Sequence, residues 1–314
     1  MKLVFLRGAV PTDRSPKEIM WESLGQSDDM WEHLACTVGD ERCEIVYWGG
    51  NRIRKYTDKD TVVWVQKTKH YTPDFAPDVV FERGGFDEGR KFTKRYPNAY
   101  RIYYGSGPRF LPKNEKVRYD LVLVDSERQL HKARKHGWNA QLWQKPAAPQ
   151  FKYMPEVAKE YDVCYVAAIP EDDRKNCAWV YKTCPKDLRV LQLGYKPKHL
   201  KVPPNFTIKR VSRADMPTAM NQCRVGIVPY TKDDSAPRVM PEMKTSGLPV
   251  IVSAEVNQCY NDVETDSLDR FWEHVRYTQG MVRDKFWIGP VDYTIPKAAE
   301  HIRGLINAAK NLPA

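Results

Sequence analysis

Residues 233–253 read DDSAPRVMPEMKTSGLPVIVS. The run Val250 to Val252, entered through Gly247 and Pro249, has the composition of a short buried strand, and the residues before the glycine have that of a short helix. A helix handing over directly to an apolar strand is one step of a parallel sheet with helices on both faces. On that helix Arg238 and Glu242 stand four residues apart. By spacing alone they read as a surface ion pair contributing about 0.3 kcal/mol. The alternative is a ligand site: an arginine beside a helix start suits a diphosphate, and a carboxylate one turn later can accept from two ribose hydroxyls.

The same rhythm extends outward from this stretch. YDVCYVAAI (161–169), LRVLQLG (188–194), FTIKRVS (206–212) and VGIVPY (225–230) read as strands, with DDRKNCAWVYKTC (172–184) and ADMPTAMNQC (214–223) as helices between them. Further upstream, KLVFLRG (2–8), CEIVYWGG (43–50), TVVWVQK (61–67), PDVVFERGG (77–85), AYRIYYGSGP (99–108) and DLVLVDS (120–126) read as strands. FDEGRKFTKRYP (86–97) and ERQLHKARKHG (127–137) read as helices, the second stopping at Gly137. Pro146, Pro149 and Pro155 interrupt the pattern and mark an interdomain linker. The expectation is an α/β chain of two doubly wound, Rossmann-like domains, 1–148 and 149–314, facing across a cleft. Its terminal helix, with Ala298, Ile302, Leu305, Ile306 and Ala309 on one face, is free in this reading to cross back.

Bulk properties bound the function. A chain of 314 residues is long enough for two cores, and with 29% charged residues it has a water-compatible composition. No run approaches the ~20 apolar residues of a membrane span, and the short apolar run before Arg7 is no signal-peptide core, so a cytoplasmic location is expected. Seven cysteines at irregular spacing give neither a zinc pattern nor an even disulfide set, and reduced buried thiols are expected. A net charge of +10 fits a polyanionic partner without requiring one.

Other residues join Arg238 and Glu242. Arg174 and Lys175 follow the first strand of the second domain, a phosphate position in a doubly wound sheet, and a solvated charge cluster is the plainer reading. RIRKY (52–56), KTKHY (67–71), RKFTKR (90–95) and PRF (108–110) combine cations with aromatics. Cations neutralise phosphates and rings stack on an extruded base, which makes Arg90, Lys91, Lys94, Arg95, Arg109 and Phe110 candidate acceptor contacts; scattered surface charge over core aromatics is the alternative. Gly8 and Ala9 let backbone approach the cleft or simply form a turn.

The segment 214–253 resembles the donor half-site of GT-B glycosyltransferases, with Glu242, Gly247, Pro249, Val250 and Ile251 in register. Within that fold, RVMPEM, YDVCYVAAIPEDDRKN and RKFTKRYPNAYRIYYGSGPRFLP resemble segments of T-even-type phage DNA glucosyltransferases. The resemblance implies a UDP-sugar donor with no obligatory metal or cofactor. It implies a diphosphate held by Arg174, Lys175 and Arg238, a ribose on Glu242, and a base near Arg210 and Val211. It also implies transfer of a hexose to a 5-hydroxymethylpyrimidine in DNA by a monomer in the host cytoplasm. A saccharide, lipid-linked sugar or small molecule as acceptor, or a non-catalytic nucleic-acid-binding role, remains open. Where the inverting members of that subgroup carry a catalytic aspartate this chain has Pro108, so either the base lies elsewhere, with Asp74, Asp87 and Glu88 as candidates, or configuration is retained. The double-glutamate spacing of retaining members is incomplete too, with Ser235 beside Asp233 and Asp234.

Overall fold

Unbroken apolar runs have no face to give to water and settle in central parallel strands. KLVFLR does so as β1 (Lys2–Arg7), whose residues Leu3 to Leu6 are fully buried. The structure, a computed structural model, describes residues 1–7, 30–47, 54–58, 61–65, 71–83, 87–105, 119–167, 175–230, 237–253, 264–266, 270–283 and 294–310. The chain divides into two units, Met1–Gln144 with Ile295–Ala314, and Lys145–Thr294.

After β1 the first unit continues with α1 (Met30–Val38), β2 (Arg42–Tyr47), β3 (Arg54–Asp58), β4 (Thr61–Val65) and β5 (Val79–Arg83). It goes on through α2 (Asp87–Lys94), β6 (Tyr100–Gly105), β7 (Leu121–Val124), α3 (Glu127–Lys135) and β8 (Ala140–Leu142). The eight strands run β3-β4-β2-β1-β5-β6-β7-β8, all pairs parallel except β3 with β4. The chain builds outward from β1 in one direction and then resumes at β5 in the other. With right-handed crossovers, that reversal sends the helices of the two halves to opposite faces and puts a switch point between β1 and β5. Val4, Leu6, Val46, Val80 and Phe92 pack one core beneath α2, and Tyr103, Val122, Val124, Leu130 and Ala133 another beneath α3. Ser126 caps α3 by accepting from the Gln129 N–H, and Gly137 ends it at φ +77°, as the sequence anticipates.

The second unit holds β9 (Tyr161–Ala167), α4 (Cys177–Thr183), β10 (Val190–Gly194), β11 (Phe206–Lys209), α5 (Met216–Asn221) and β12 (Cys223–Val228). It is completed by α6 (Val239–Thr245), β13 (Val250–Ser253), β14 (Glu264–Asp266) and α7 (Phe271–Arg283). Its six strands run β11-β10-β9-β12-β13-β14, all parallel. The switch point lies between β9 and β12, the place where ligands of such sheets bind, outside the carboxyl ends of the strands.

Two boundaries differ from the sequence reading. The terminal helix α8 (Ile295–Lys310) belongs to the first unit, where it packs on α1 and the Arg303 guanidinium donates to the Thr37 carbonyl. The second unit therefore ends at Thr294 rather than 314, and it begins at Lys145 rather than 149. The proline-rich segment is also no free tether over its second half. Asn221, fully buried, accepts from the Met154 N–H at 2.8 Å and donates to the Lys152 carbonyl at 2.9 Å, and Lys159 Nζ donates to the Asn221 carbonyl at 2.7 Å. Among the described residues six cysteines are free thiols, four of them buried, and no helix is long and apolar enough to cross a membrane.

Candidate functional site

The carboxyl edge of the second sheet is stitched together by side chains that the strands themselves supply. Tyr165, on β9, donates to the Lys175 carbonyl at 2.7 Å and lies 2.9 Å from Cys177 Sγ. Burial, with Cys177 adding to it, raises this phenol well above its ordinary pKa, so it stays a neutral donor. The bond fixes the turn into α4, where Asn176 takes the left-handed conformation at φ 59°. Across the switch point Tyr230 follows β12, donates to the Val166 carbonyl at 2.6 Å, and accepts at its own carbonyl from Ser253 Oγ at 2.5 Å. Lys175 Nζ sits 3.7 Å from the centre of the Tyr230 ring. A cation is thus held over an aromatic face near the ends of β9 and β12.

One strand further along, α6 carries the pair on which the sequence reading turned. The helix forms because Val239, Met240 and Met243 face the sheet, and it packs closely because β12 offers Gly226, where an added Cβ would lie 2.6 Å from Met243 Sδ. It ends at Gly247, φ +81°, with Gly247 N–H bonded to the Lys244 carbonyl and Leu248 N–H to that of Met243. The ring of Tyr153 closes over this glycine, 2.4 Å from where a Cβ would stand. Two independent requirements, backbone sign and space, therefore explain the glycine.

Arg238 Nε lies 3.3 Å from Glu242 Oε1, the i,i+4 contact that spacing predicts. The pair is not a surface salt bridge, however, because Glu242 is only 2% exposed. Its main partner is Arg213, from the loop after β11, whose Nη1 donates to Oε2 at 3.1 Å and whose Nη2 donates to Oε1 in a very short contact. The Arg213 guanidinium also lies 4.6 Å from the centre of the Phe151 ring. A buried carboxylate is tolerable only with such partners, since desolvating a lone charge costs several kcal/mol (on the order of 5). Near the ends of β10 and β11, Arg210 lies 4.8 Å from the ring centre of Tyr195, which is 49% exposed and anchored by Gln192 Nε2 on its carbonyl at 3.2 Å. Val211, half-buried, follows Arg210.

The sequence candidates therefore separate. Lys175, Arg210, Val211, Arg238 and Glu242 all follow the carboxyl ends of strands in the second sheet. Arg174, Asp233, Asp234, Ser235, Pro108, Arg109, Phe110, Gly8 and Ala9 lie outside the described residues. In the first unit Asp87, Glu88 and Arg90 open α2 at the carboxyl edge of β5. Asp74 lies at the opposite edge: it is exposed and pairs at 2.7 Å with Arg42, the first residue of β2. This is the wrong edge for a ligand of a doubly wound sheet. Lys91 and Lys94 are exposed on α2, whereas Arg95, at its far end, is engaged by the Tyr71 carbonyl at 2.7 Å and Thr72 Oγ1 at 2.8 Å and lies over Phe92 and Tyr96. Sequence reasoning missed Arg213, Phe151, Tyr195 and Tyr230. Arg213 lies, like Arg210, a few residues past the end of β11, but nothing in the sequence pairs it with a glutamate 29 residues on. Among the described residues no group of three or more His, Cys, Asp and Glu side chains is gathered for a metal.

No family model matches the chain, and no curated protein matches it in sequence. Solved structures do match. A glycosyltransferase from Rickettsia africae superposes with a TM-score of 0.62 at 10% identity, over 99% of both chains. A trehalose-6-phosphate structure from E. coli bound with UDP-2-fluoro glucose gives 0.60 at 10% identity over 100% of both chains. Anabaena HepE in complex with UDP gives 0.58 at 12% identity, over 98% of this chain and 97% of that one. At such identities the likeness defines the fold: the chain has the two-domain GT-B architecture.

Proposed function

We propose that the chain is a glycosyltransferase that takes a hexose from a UDP-sugar bound at the carboxyl edge of the second unit. The observation that carries this reading is Glu242: a buried, ionically held carboxylate on α6, the helix that follows β12, with the cations Arg238 and Lys175 also following carboxyl ends of this sheet. Structural counterparts bound to UDP and to a UDP-sugar analogue support it. In the reaction the bond from the sugar C1 to the diphosphate oxygen breaks with its electron pair going to that oxygen, a bond from C1 to the acceptor oxygen forms, and the acceptor hydroxyl passes its proton to a carboxylate base. The transition state carries positive charge at C1 and negative charge on the departing diphosphate. Fixed cations stabilise the latter, each contributing about 3 kcal/mol. Lys175 and Arg238, with Arg174, are assigned that role, and Glu242 accepts the ribose hydroxyls.

For the acceptor the reading is DNA carrying a 5-hydroxymethylpyrimidine. Its support is the net charge of +10, the exposed Lys91 and Lys94, and the sequence resemblance. Asp87 and Glu88, the first residues of α2, which follows β5, are the base candidates of this reading. The test is to incubate the protein with hydroxymethylcytosine DNA, hydroxymethyluracil DNA and small sugar acceptors, each with a panel of UDP-sugars, and to weigh the products. A mass gain of one hexose on a nucleoside, abolished by Glu242→Ala, is expected. Gain on a sugar acceptor alone would move the acceptor to saccharides, and UDP binding without any transfer would leave a non-catalytic protein.

A further inference from the structure

We infer that the outward face of α2 and α3 in the first unit is a docking surface for the phosphate backbone of double-stranded DNA. The inference rests on the acceptor reading above and names where the duplex is held. α3 turns Gln129, Leu130 and Ala133 into the core. At about 3.6 residues per turn the opposite side carries Arg128, His131, Lys132 and Lys135, all exposed. Glu127, its one acid, falls on the flank with Arg134, whose Nη2 donates to the Ala140 carbonyl at 3.4 Å. α2 exposes Lys91 and Lys94 and buries Phe92 and Thr93. Register puts the two helices on one side of the sheet. Val80 packs with Phe92 beneath α2, and Tyr103 and Val122 pack with Leu130 and Ala133 beneath α3. Val80 and Glu82 point the same way along β5, Glu82 pairs with Tyr103, and Tyr103 pairs with Val122. The helices therefore lie side by side, about 10 Å apart across two strand spacings. Lys91, Lys94, Arg128, Lys132 and Lys135 stand on that layer, and none of them is in an ion pair among the described residues.

The helix dipole accounts for Lys132 and Lys135, in the last turn of α3, but Arg128 stands in the first turn, where a cation is unfavourable. Like charges at 128, 132 and 135, and at 91 and 94, also repel one another at i,i+3 and i,i+4 spacing. A partner with closely spaced negative charge turns that repulsion into attraction, and duplex DNA carries one phosphate per about 1.7 Å of its axis. Other polyanionic partners fit less well. A membrane-surface helix needs apolar side chains beside its cations, and single strands are held by stacking on aromatic rings. The exposed large apolar side chains among the described residues are Tyr153, Tyr195 and Tyr277, all in the second unit. What the α2–α3 face offers is charge alone, the means by which proteins grip a duplex backbone without reading its sequence.

The test follows the fluorescence anisotropy of a short labelled DNA duplex titrated with the full chain over a series of NaCl concentrations. A thermal melt and a calorimetric UDP affinity accompany each protein. Wild type should bind with an affinity that falls steeply with salt, and the set Arg128→Gln, Lys132→Gln and Lys135→Gln should lower the log–log salt slope by about 2 to 3. Its duplex affinity at the lowest salt should drop at least about tenfold, while its UDP affinity stays within about twofold of wild type. Lys91→Gln with Lys94→Gln should lower the slope by about 1 to 2. The charge-keeping set Arg128→Lys, Lys132→Arg and Lys135→Arg should bind like wild type. Lys182→Gln, Lys186→Gln and Lys201→Gln, which remove equal charge from exposed positions of the second unit, should keep the wild-type slope. An unchanged slope in the α3 set, or an equal loss in the second-unit set, overturns the inference and leaves the acceptor reading intact. Should the triple α3 set fail to fold, Lys132→Gln with Lys135→Gln decides on the same criterion, with an expected fall of about 2. Wild type that binds no duplex at low salt overturns the acceptor reading and this inference together, while UDP affinity still reports on the donor site. Binding to phosphatidylserine vesicles that the α3 set loses, without duplex binding, would assign the face to a membrane and overturn the inference as well.

Discussion

Arg213 and Glu242, 29 residues apart in sequence, meet as a forked ion pair in which the carboxylate is 2% exposed. One partner leaves the end of β11 and the other rides on α6, so the pair ties together the outer and inner parts of the second sheet's carboxyl edge. Breaking such a pair from one side is more damaging than never having built it, because the remaining charge stays desolvated. Glu242→Ala is therefore expected to lower unfolding free energy by about 3 kcal/mol in urea titration, and Glu242→Gln, which keeps the shape and an acceptor, by less. Both should weaken UDP binding at least about tenfold. An alanine variant within ~0.5 kcal/mol of wild type would mean that the pair is solvated and contributes little.

Lys175 should act on the diphosphate rather than on the nucleoside. Its ammonium is 3.7 Å from the Tyr230 ring centre, between β9 and β12, where backbone and side chains from both strands converge. Lys175→Met is expected to weaken UDP binding by about 10- to 100-fold, UMP less, and uridine by less than about threefold. Equal losses for all three ligands would place the lysine at the base or ribose instead. Circular dichroism on the variant separates both outcomes from misfolding.

Much of this architecture is legible in the sequence, for a physical reason. Strands such as LVLV at 121–124 and VIVS at 250–253 are apolar on both faces, which only a central parallel strand tolerates, and Gly137 and Gly247 punctuate helices at positive φ. Elements whose signal is shared with their surroundings were not anticipated: α1 at Met30–Val38, the antiparallel edge strand β3, the three-residue strands β8 and β14, and α7. The site divides in the same way. Arg238 and Glu242 share a helix, so their contact follows from i,i+4 spacing, whereas the Arg213 fork and the Lys175–Tyr230 contact depend on strand order. Strand order is set by long-range packing that no local pattern records. The return of α8 to the first unit is left open by the sequence for the same reason, since an amphipathic helix advertises an apolar face but not which core receives it.

Gly247 carries two constraints that can be separated. Its φ of +81° costs a side-chain-bearing residue about 1–2 kcal/mol, and an added Cβ would also stand 2.4 Å from Tyr153 Cδ2. Gly247→Ala is expected to destabilise by about 3 kcal/mol, exceeding the backbone cost alone. In a Tyr153→Ala background the same substitution should cost only the backbone share, so a double-mutant cycle should return a coupling of at least ~1 kcal/mol. Additive effects would mean that the ring, 43% exposed, moves aside freely.

Asp162 offers the complementary case, a residue important to the fold and remote from ligand chemistry. It stands second in β9, at the amino edge of the sheet, opposite to the edge where Lys175 and Glu242 sit. Its carboxylate accepts from the Arg189 N–H at 2.9 Å, from Arg224 Nη1 at 3.1 Å and from Gln279 Nε2 at 2.8 Å, joining β9 to β12, to α7 and to the residue that leads into β10. Asp162→Ala removes a nearly buried acceptor shared by three elements and leaves Arg224 without its counter-ion. A loss of about 3 kcal/mol in unfolding free energy is expected. Because β9 and β12 still pair through their backbones, the geometry at the far end of the strands should persist. UDP affinity measured well below the unfolding midpoint should then stay within about twofold of wild type, as for a site remote from the mutation. A large loss of UDP binding in a folded Asp162→Ala protein would show that the two edges of the sheet are coupled, and that the carboxyl-edge site depends on the register Asp162 helps to fix.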